Sequence, residues 1–360
     1  MLNTLLKSAS LLVASFSFAA LAQEAAPTPP QNPLEINAKI FADYRYDATK
    51  DSAHKNGFEI TRSWIGFNYK FDENWSSMLA FDSQRGETYS VTDSTTGAKS
   101  GIQRSSLDAY TRAAYVMRTC NCESHSWNMK FGLQGNPYFS TVESINGTRY
   151  IYKSVADDAK ILASVFGGFS LNSIWRGGLL NSSLIVHNGR EGINAAGDSD
   201  SGTAVALNLG TSYKFEGAGI TIMAQSFTEK VDRAVEAADG TPVQAATTNR
   251  ATAAAIKHTY AELTLESATS TPARSSDGKA AVGATLTTHT DDSKYGLFFR
   301  TMELRNKKGD VTVKSKSMAV GPTFALVEGG KISTALIYET AHVDSKLTGT
   351  TYAWKWQAQF

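Results

Sequence analysis

The chain has 360 residues, with 35 basic against 34 acidic side chains and 42% hydrophobic residues. So even a balance argues against nucleic acid or an anionic membrane surface as partner. Mean hydropathy is −0.25, and beyond the first residues nothing is apolar for the roughly 20 positions a membrane helix needs, which excludes a helical membrane bundle.

The N-terminus reads as an address. Lys7 supplies a small positive charge, residues 8–21 an apolar run of leader length, and Ala20-Leu21-Ala22 a small-x-small cleavage site. A signal peptide over 1–22, cleaved after Ala22, is expected. No Cys follows that site, so a lipid anchor is not expected. Residues 23–33, with Pro27, Pro29, Pro30 and Pro33, read as an extended periplasmic lead-in. The remainder, 34–360, reads as one transmembrane β-barrel.

That reading rests on alternation, because a strand in lipid must turn apolar residues out and polar residues in. From Leu34 to Tyr46, Leu34, Ile36, Ala38, Ile40, Ala42, Tyr44 and Tyr46 oppose Glu35, Asn37, Lys39, Asp43 and Arg45, with Phe41 out of character. Ile65, Phe67, Tyr69 and Phe71 oppose Arg62, Trp64, Asn68 and Lys70, and Val205 to Phe215 repeats the pattern. A soluble sandwich also alternates. An Arg on the lipid face near mid-membrane costs roughly 2–4 kcal/mol, however, and Arg45, Arg62 and Arg112 all fall opposite the apolar set. The last strand sets Tyr352, Trp354, Trp356, Ala358 and Phe360 against Thr351, Lys355, Gln357 and Gln359. An aromatic strand ending on Phe360, with Trp356 before it, resembles the signal by which barrel-assembly machinery recognises outer-membrane clients.

Strands are expected near 34–47, 57–71, 75–84, 106–119, 126–134, 158–169, 178–188, 203–215, 219–228, 280–290, 294–305, 312–327, 331–342 and 350–360. The stretch 251–266 splits near Lys257-His258 into two strands, leaving 267–279 as an outside loop. The fold class is therefore all-β: a transmembrane antiparallel up-and-down barrel of sixteen strands, with fourteen as the alternative, and an inward-folded constriction loop. Sixteen strands leave an aqueous channel. Tight turns such as Asp72-Glu73-Asn74 and Glu216-Gly217-Ala218-Gly219 contrast with long polar stretches at Gly86 to Ser105, Gly135 to Asp157, Gly189 to Ser201 and Glu229 to Arg250. Short connections on one rim and long ones on the other are a bacterial barrel's habit.

Several segments resemble the phosphate-selective porin O and P family. They are Phe58 to Phe71 with the following Asp-Glu-Asn-Trp turn, Leu79-Ala80-Phe81-Asp82, Leu107-Asp108-Ala109-Tyr110, Lys130 to Phe139 and Ile185 to Gly189, all in the first half. The resemblance implies a sixteen-stranded homotrimer whose third outside loop folds into the lumen. That family's anion preference rests on a ladder of lumenal arginines with nearby lysines. Here Asp43, Asp82 and Asp108 are interspersed among the basic residues.

The loop Gly135 to Asp158 is the constriction candidate, carrying Glu143, Arg149, Lys153, Asp157 and Asp158. The wall opposite it is expected to present Lys39, Arg45, Arg62, Arg112 and Arg118, with acids facing bases across a narrow opening. Each of these residues could equally be an ordinary solvated charge. Cys120 and Cys122 sit at a turn in an oxidising compartment, where a bridge between them would stiffen that turn. With only His125 beside them they make a poor metal site, and no metal or cofactor is expected. The six histidines fall in no nucleophile or acid–base motif, so no enzyme is expected.

The function expected is passive diffusion of ions and small hydrophilic solutes through the outer membrane of a Gram-negative cell. Membrane lipid, lipopolysaccharide and the assembly machinery would be its partners, and nucleic acid would not. A barrel with surface activity (protease, lipase or adhesin) or a purely structural barrel are the alternatives. Gly86 to Ser105 and Glu229 to Arg250 are rich in Ser, Thr, Ala and Gly and poor in aromatics, which suits solvated rims better than a binding face.

Overall fold

The computed structural model describes residues 33–49, 56–85, 89–92, 99–102, 107–122, 124–147, 149–188, 203–215, 218–236, 242–272, 277–290, 294–327 and 332–360. The leader and most of the Pro-rich lead-in lie outside these residues. The strands are β1 Leu34–Asp47, β2 Asn56–Lys70, β3 Trp75–Arg85, β4 Tyr89–Thr92, β5 Lys99–Ile102, β6 Leu107–Asn121, β7 His125–Gly135, β8 Val165–Trp175 and β9 Leu180–His187. They continue with β10 Thr203–Phe215, β11 Ile220–Glu236, β12 Pro242–His258, β13 Ala261–Pro272, β14 Gly278–His289, β15 Tyr295–Lys308, β16 Val311–Ala325, β17 Ile332–Val343 and β18 Lys346–Gln359. Two helices, α1 Pro137–Asn146 and α2 Val155–Asp158, lie between β7 and β8.

Sixteen of the strands close into one antiparallel barrel, β1 pairing with β2 on one side and β18 on the other. The pair β4–β5 forms a separate hairpin. No helix among the described residues is long and apolar enough to cross a membrane. Both ends of the barrel wall meet at one rim, here called the near rim, where Ala38 and Phe360 exchange backbone hydrogen bonds of 3.1 and 2.9 Å.

Alternation places the faces as the sequence implies. On β13, Leu263 and Leu265 are exposed on the outside, whereas Glu262, Thr264 and Glu266 are buried inside. On β18, Tyr352 and Trp354 face out while Lys355 is buried, and Trp356 stacks on Phe58 at 5.4 Å.

Several boundaries differ from expectation. The stretch 158–164 completes the inserted loop, and β8 starts only at Val165. Strand β11 runs on to Glu236 and β12 starts at Pro242, so Glu229 to Arg250 is mostly sheet; its Thr and Ala residues serve a ladder as well as a loop. The split near Lys257-His258 is found, with the turn at 259–260. Beyond it, 267–272 continues β13 and does not form a loop. At the far rim the long connections therefore belong to the first half of the barrel. Gly189 to Ser201 lies outside the described residues.

Candidate functional site: the loop-lined opening in the barrel

The site begins at the neck of the loop. Asn136 caps α1 by accepting from Tyr138 N at 3.0 Å, and its amide donates to the Ala163 carbonyl at 3.1 Å. Pro137 fits the first helical position, where no backbone donor is needed, and Gly147 closes the helix with φ 60°. Asn136 thus ties the outgoing and returning limbs together while starting the helix.

Beyond the neck the loop turns apolar. Tyr138, Phe139, Val142, Val155, Ala156, Ile161 and Leu162 are buried against lumenal Ala206, Phe227, Ala251, Ala253, Ala268, Ala281 and Met302. Alanines on the inner wall make room for the helices, so this half of the barrel holds a hydrophobic core where a pore would have water. In α2, Val155 N donates to Glu266 at 3.2 Å, and Arg300 donates to Asp158 at 2.9 Å.

The tip of the loop crosses to the far wall. Ile151 is buried with Phe298, Ala319, Ala335 and Ile337. Tyr152 stacks on Phe298 at 5.7 Å, lies under the Arg300 guanidinium at 4.8 Å and the Lys355 ammonium at 4.2 Å, and donates to Glu339 at 2.6 Å. Lys355 donates to the Ile151 carbonyl at 2.6 Å. Burial, with Glu339 beside it, raises the Tyr152 hydroxyl above its ordinary range, so it stays a donor.

A space of about 800 Å³ lies between the loop and the wall formed by β1, β2, β6, β11, β12 and β18. Two β-bulges shape its wall. The β1–β2 register shifts after Phe41, leaving Thr61 as the extra residue beside Arg62. The β3–β6 register shifts after Ala80, leaving Arg112 as the extra residue. A bulge re-aims a side chain, and here both Arg62 and Arg112 reach Asp82, whose side chain is 0% exposed. Arg62 Nε donates to it at 2.8 Å and Arg112 lies at 3.3 Å. Phe41, out of character in the sequence, is buried inside with the Arg62 guanidinium 5.8 Å from its ring centroid.

The charges of the opening are seven basic side chains (Arg45, Arg62, Arg112, Arg149, Lys153, Lys160 and Lys355) against Asp43, Asp157 and Glu229. Asp82 and Glu143 lie buried or part-buried nearby, which still leaves the set basic. Asp43 pairs with Arg45 at 3.3 Å. Glu229 lies 2.7 Å from His187 and accepts from Asn249 at 2.7 Å. Burial raises the Glu143 carboxyl above the usual carboxylate range, and neighbouring Arg149 opposes this.

Two expectations are corrected by this geometry. The loop is not an acidic face opposed to a basic wall, because Arg149 pairs with Glu143 at 2.9 Å and Asp157 at 3.0 Å, and Lys153 lies 3.9 Å from Asp157. Arg118 is not lumenal. It is partnered across the sheet by Trp75, which is 41% exposed outside, and its guanidinium lies 5.6 and 5.9 Å from the rings of Trp75 and Trp127. Past the bulge at Arg112 the parity of β6 reverses, and a straight alternation misses that.

Lys39 lies on the inner face of β1, paired with Trp64 and Gln359, and does not line the opening. Asp108 pairs in register with Gln84, and its side chain lies outside the described residues. Cys120 and Cys122 are free thiols with their sulfurs 3.4 Å apart at a near-rim turn. Tyr152, Arg300, Glu339 and Glu266, which seat the loop, carry no local motif. Their sequence signal is only a polar residue at an inward position, or one aromatic within a loop.

No protein-family model matches the sequence, and no curated protein matches it. Solved structures do resemble the barrel. Salmonella typhi OmpF in complex with daunomycin is 15% identical with a TM-score of 0.63, covering 91% of this chain and 97% of that one. Pseudomonas putida OprB at high pH is 11% identical with a TM-score of 0.59, covering 91% and 94%. The trimer form of Vibrio cholerae OmpT, an outer membrane protein, is 10% identical with a TM-score of 0.57, covering 91% and 99%. At these identities the likeness is one of fold.

Proposed function

We propose that the chain is an outer-membrane porin, a passive channel without catalytic turnover for ions and small hydrophilic solutes. One observation carries the reading. A loop tied at its neck and seated across the lumen leaves beside it a charged space walled by β1, β2, β6, β11, β12 and β18. A size limit set by a seated loop and a field set by fixed charges are what selective diffusion needs. The basic excess favours anions.

The outward apolar bands and their aromatic ends suit a bilayer, and an exported chain would meet that bilayer in the outer membrane. A homotrimer is proposed by analogy with the trimer form of Vibrio cholerae OmpT. Swelling of liposomes containing the folded protein tests the channel. Small sugars should enter quickly and larger oligosaccharides progressively more slowly. No swelling from protein whose gel mobility shows the heat-sensitive shift of a folded barrel would overturn the reading.

A further inference from the structure

We infer that Cys120 and Cys122 form a thiol–disulfide exchange site at the near rim, whose disulfide oxidises thiols in the periplasm. The periplasmic setting rests on the membrane placement proposed above; the exchange chemistry does not.

The pair faces away from the pore. Val116 and its cross-strand partner Phe131 are 44% and 71% exposed on the outside. Cys120, four residues further along β6, keeps that face and pairs with Trp127. Trp75, Trp127 and Trp175 lie at this rim, where aromatic side chains mark a membrane interface. Cys122 stands at the turn end beyond Trp127, exposed, whereas Cys120 is half-buried.

The frame around the sulfurs opposes a relaxed bridge. Two residues of extended strand set the Cα atoms about 6.6 Å apart, near the upper limit for a disulfide. The sulfurs lie 3.4 Å apart as thiols, and bonding would bring them to about 2.0 Å. That contraction pulls against the Cys120–Trp127 register and against Cys122 N, which donates to the His125 carbonyl at 2.9 Å. The turn is itself held, because the Ser124 carbonyl accepts from Arg176 N at 3.1 Å and the His125 ring stacks on Trp175 at 4.8 Å. A strained, exposed disulfide is the labile kind, formed in an oxidising compartment and readily opened by a thiolate.

Exposure sets the order of events. An incoming thiolate attacks the Cys122 Sγ, the bond to Cys120 breaks, and Cys120 leaves with the electron pair as a thiolate. A second thiolate attacks the outer sulfur of the mixed disulfide and releases Cys122. Two thiols thereby become one disulfide, two electrons pass to the pair, and the two protons end on the cysteines. Disulfide donors of the periplasm restore the bridge by the reverse exchange. A hydrogen bond with Cys120 raises the Cys122 thiol above its ordinary value. Reduced Cys122 is therefore a slow nucleophile, and the pair serves as a thiol oxidant more readily than as a disulfide reductant.

The test starts from folded full-length protein oxidised with diamide, then mixed with reduced glutathione or with a short synthetic peptide carrying one cysteine. Free thiols are tagged with a maleimide and counted by mass spectrometry. The bridge should open in the folded protein at least about tenfold faster than the same thiol opens linear cystine. Faster opening by the peptide supports exported polypeptides as the source of thiols, and equal rates support small thiols. A bridge that diamide cannot close, or one that resists both thiols until the chain is unfolded, overturns the inference. Cys120→Ser should trap the mixed disulfide on Cys122, whereas in Cys122→Ser the half-buried Cys120 should take up maleimide about tenfold more slowly. Equal uptake overturns Cys122 as the point of entry. If either variant does not fold, peptide mapping of the natural chain decides, since glutathione on Cys120 contradicts the assigned order. Conductance of the same samples keeps the inferences apart: failed exchange leaves stepwise currents in place, and silent bilayers leave the exchange result standing.

Discussion

Lys355, on the last strand, holds Ile151 at the tip of the inserted loop, its ammonium donating to that carbonyl at 2.6 Å. The same ammonium lies 4.2 Å from the Tyr152 ring, whose hydroxyl donates to Glu339. The size of the opening therefore depends on contacts between parts of the chain some 200 residues apart. Tyr152→Phe removes the hydrogen bond to a carboxylate and should loosen the tip by about 1.5–3 kcal/mol. Single-channel records of the variant should show added flicker, and trypsin should cut at Lys153 sooner than in the natural chain. Unchanged noise and unchanged cleavage would mean that the tip is held elsewhere.

Arg62 and Arg112 share Asp82, so the pair contributes one net positive charge to the wall. Arg62→Gln should remove it. At about 6 Å in a water-like medium a unit charge acts on a passing ion with roughly 0.5–1 kcal/mol, or a two- to fivefold change in the anion-to-cation permeability ratio. Asp82→Asn should move the ratio the opposite way. Reversal potentials of both variants in a salt gradient measure it; shifts of the same sign would refute the assigned roles.

Glu143 gives the opening a pH dependence. Burial raises its folded pKa, so as pH falls from neutral it takes up a proton before an ordinary carboxylate does. Loss of that negative charge leaves Arg149 less compensated, and anion preference should grow at mildly acidic pH. By linkage, the same raised pKa gives stability that is fully present below the ordinary carboxylate value. That stability is lost as pH rises through the raised one. Glu143→Gln should abolish this early part of the selectivity change, leaving the later titration of other carboxylates. A natural chain and variant with identical pH profiles would exclude Glu143 as the source.

Gly132 sits at φ 126°, and a Cβ there would overlap the Ala114 carbonyl oxygen. Gly132→Ala should cost about 1–3 kcal/mol through backbone strain alone. The temperature at which the folded gel band disappears should fall. An unchanged transition would show that β6 and β7 can separate without loss.

Much of the wall was legible because period-two alternation is forced on every strand with lipid on one side. Lys355, Arg62 and Asp43 could be assigned inward on that ground alone. Arg118 failed because a bulged strand reverses its parity, and nothing local in 107–121 marks Arg112 as the extra residue. The alanines of β10, β12, β13 and β14 were ambiguous, since alanine suits both a lipid face and a helix packed inside. For that reason the apolar half of the lumen could not be read. The loop's start was visible in Gly135-Asn136-Pro137, a helix cap and first turn. Its destination was not, because Arg300, Glu339 and Lys355 meet Tyr152 only once the barrel has closed.

The most direct measurement is single-channel conductance of the purified, refolded protein in a planar bilayer under a KCl gradient. An open channel with a basic constriction gives stepwise currents and a reversal potential displaced towards that of chloride. Folded protein that inserts without steps would contradict a diffusion channel. Steps with the potential displaced towards that of potassium would contradict the anion preference drawn from Arg45, Arg62, Arg112 and Lys355.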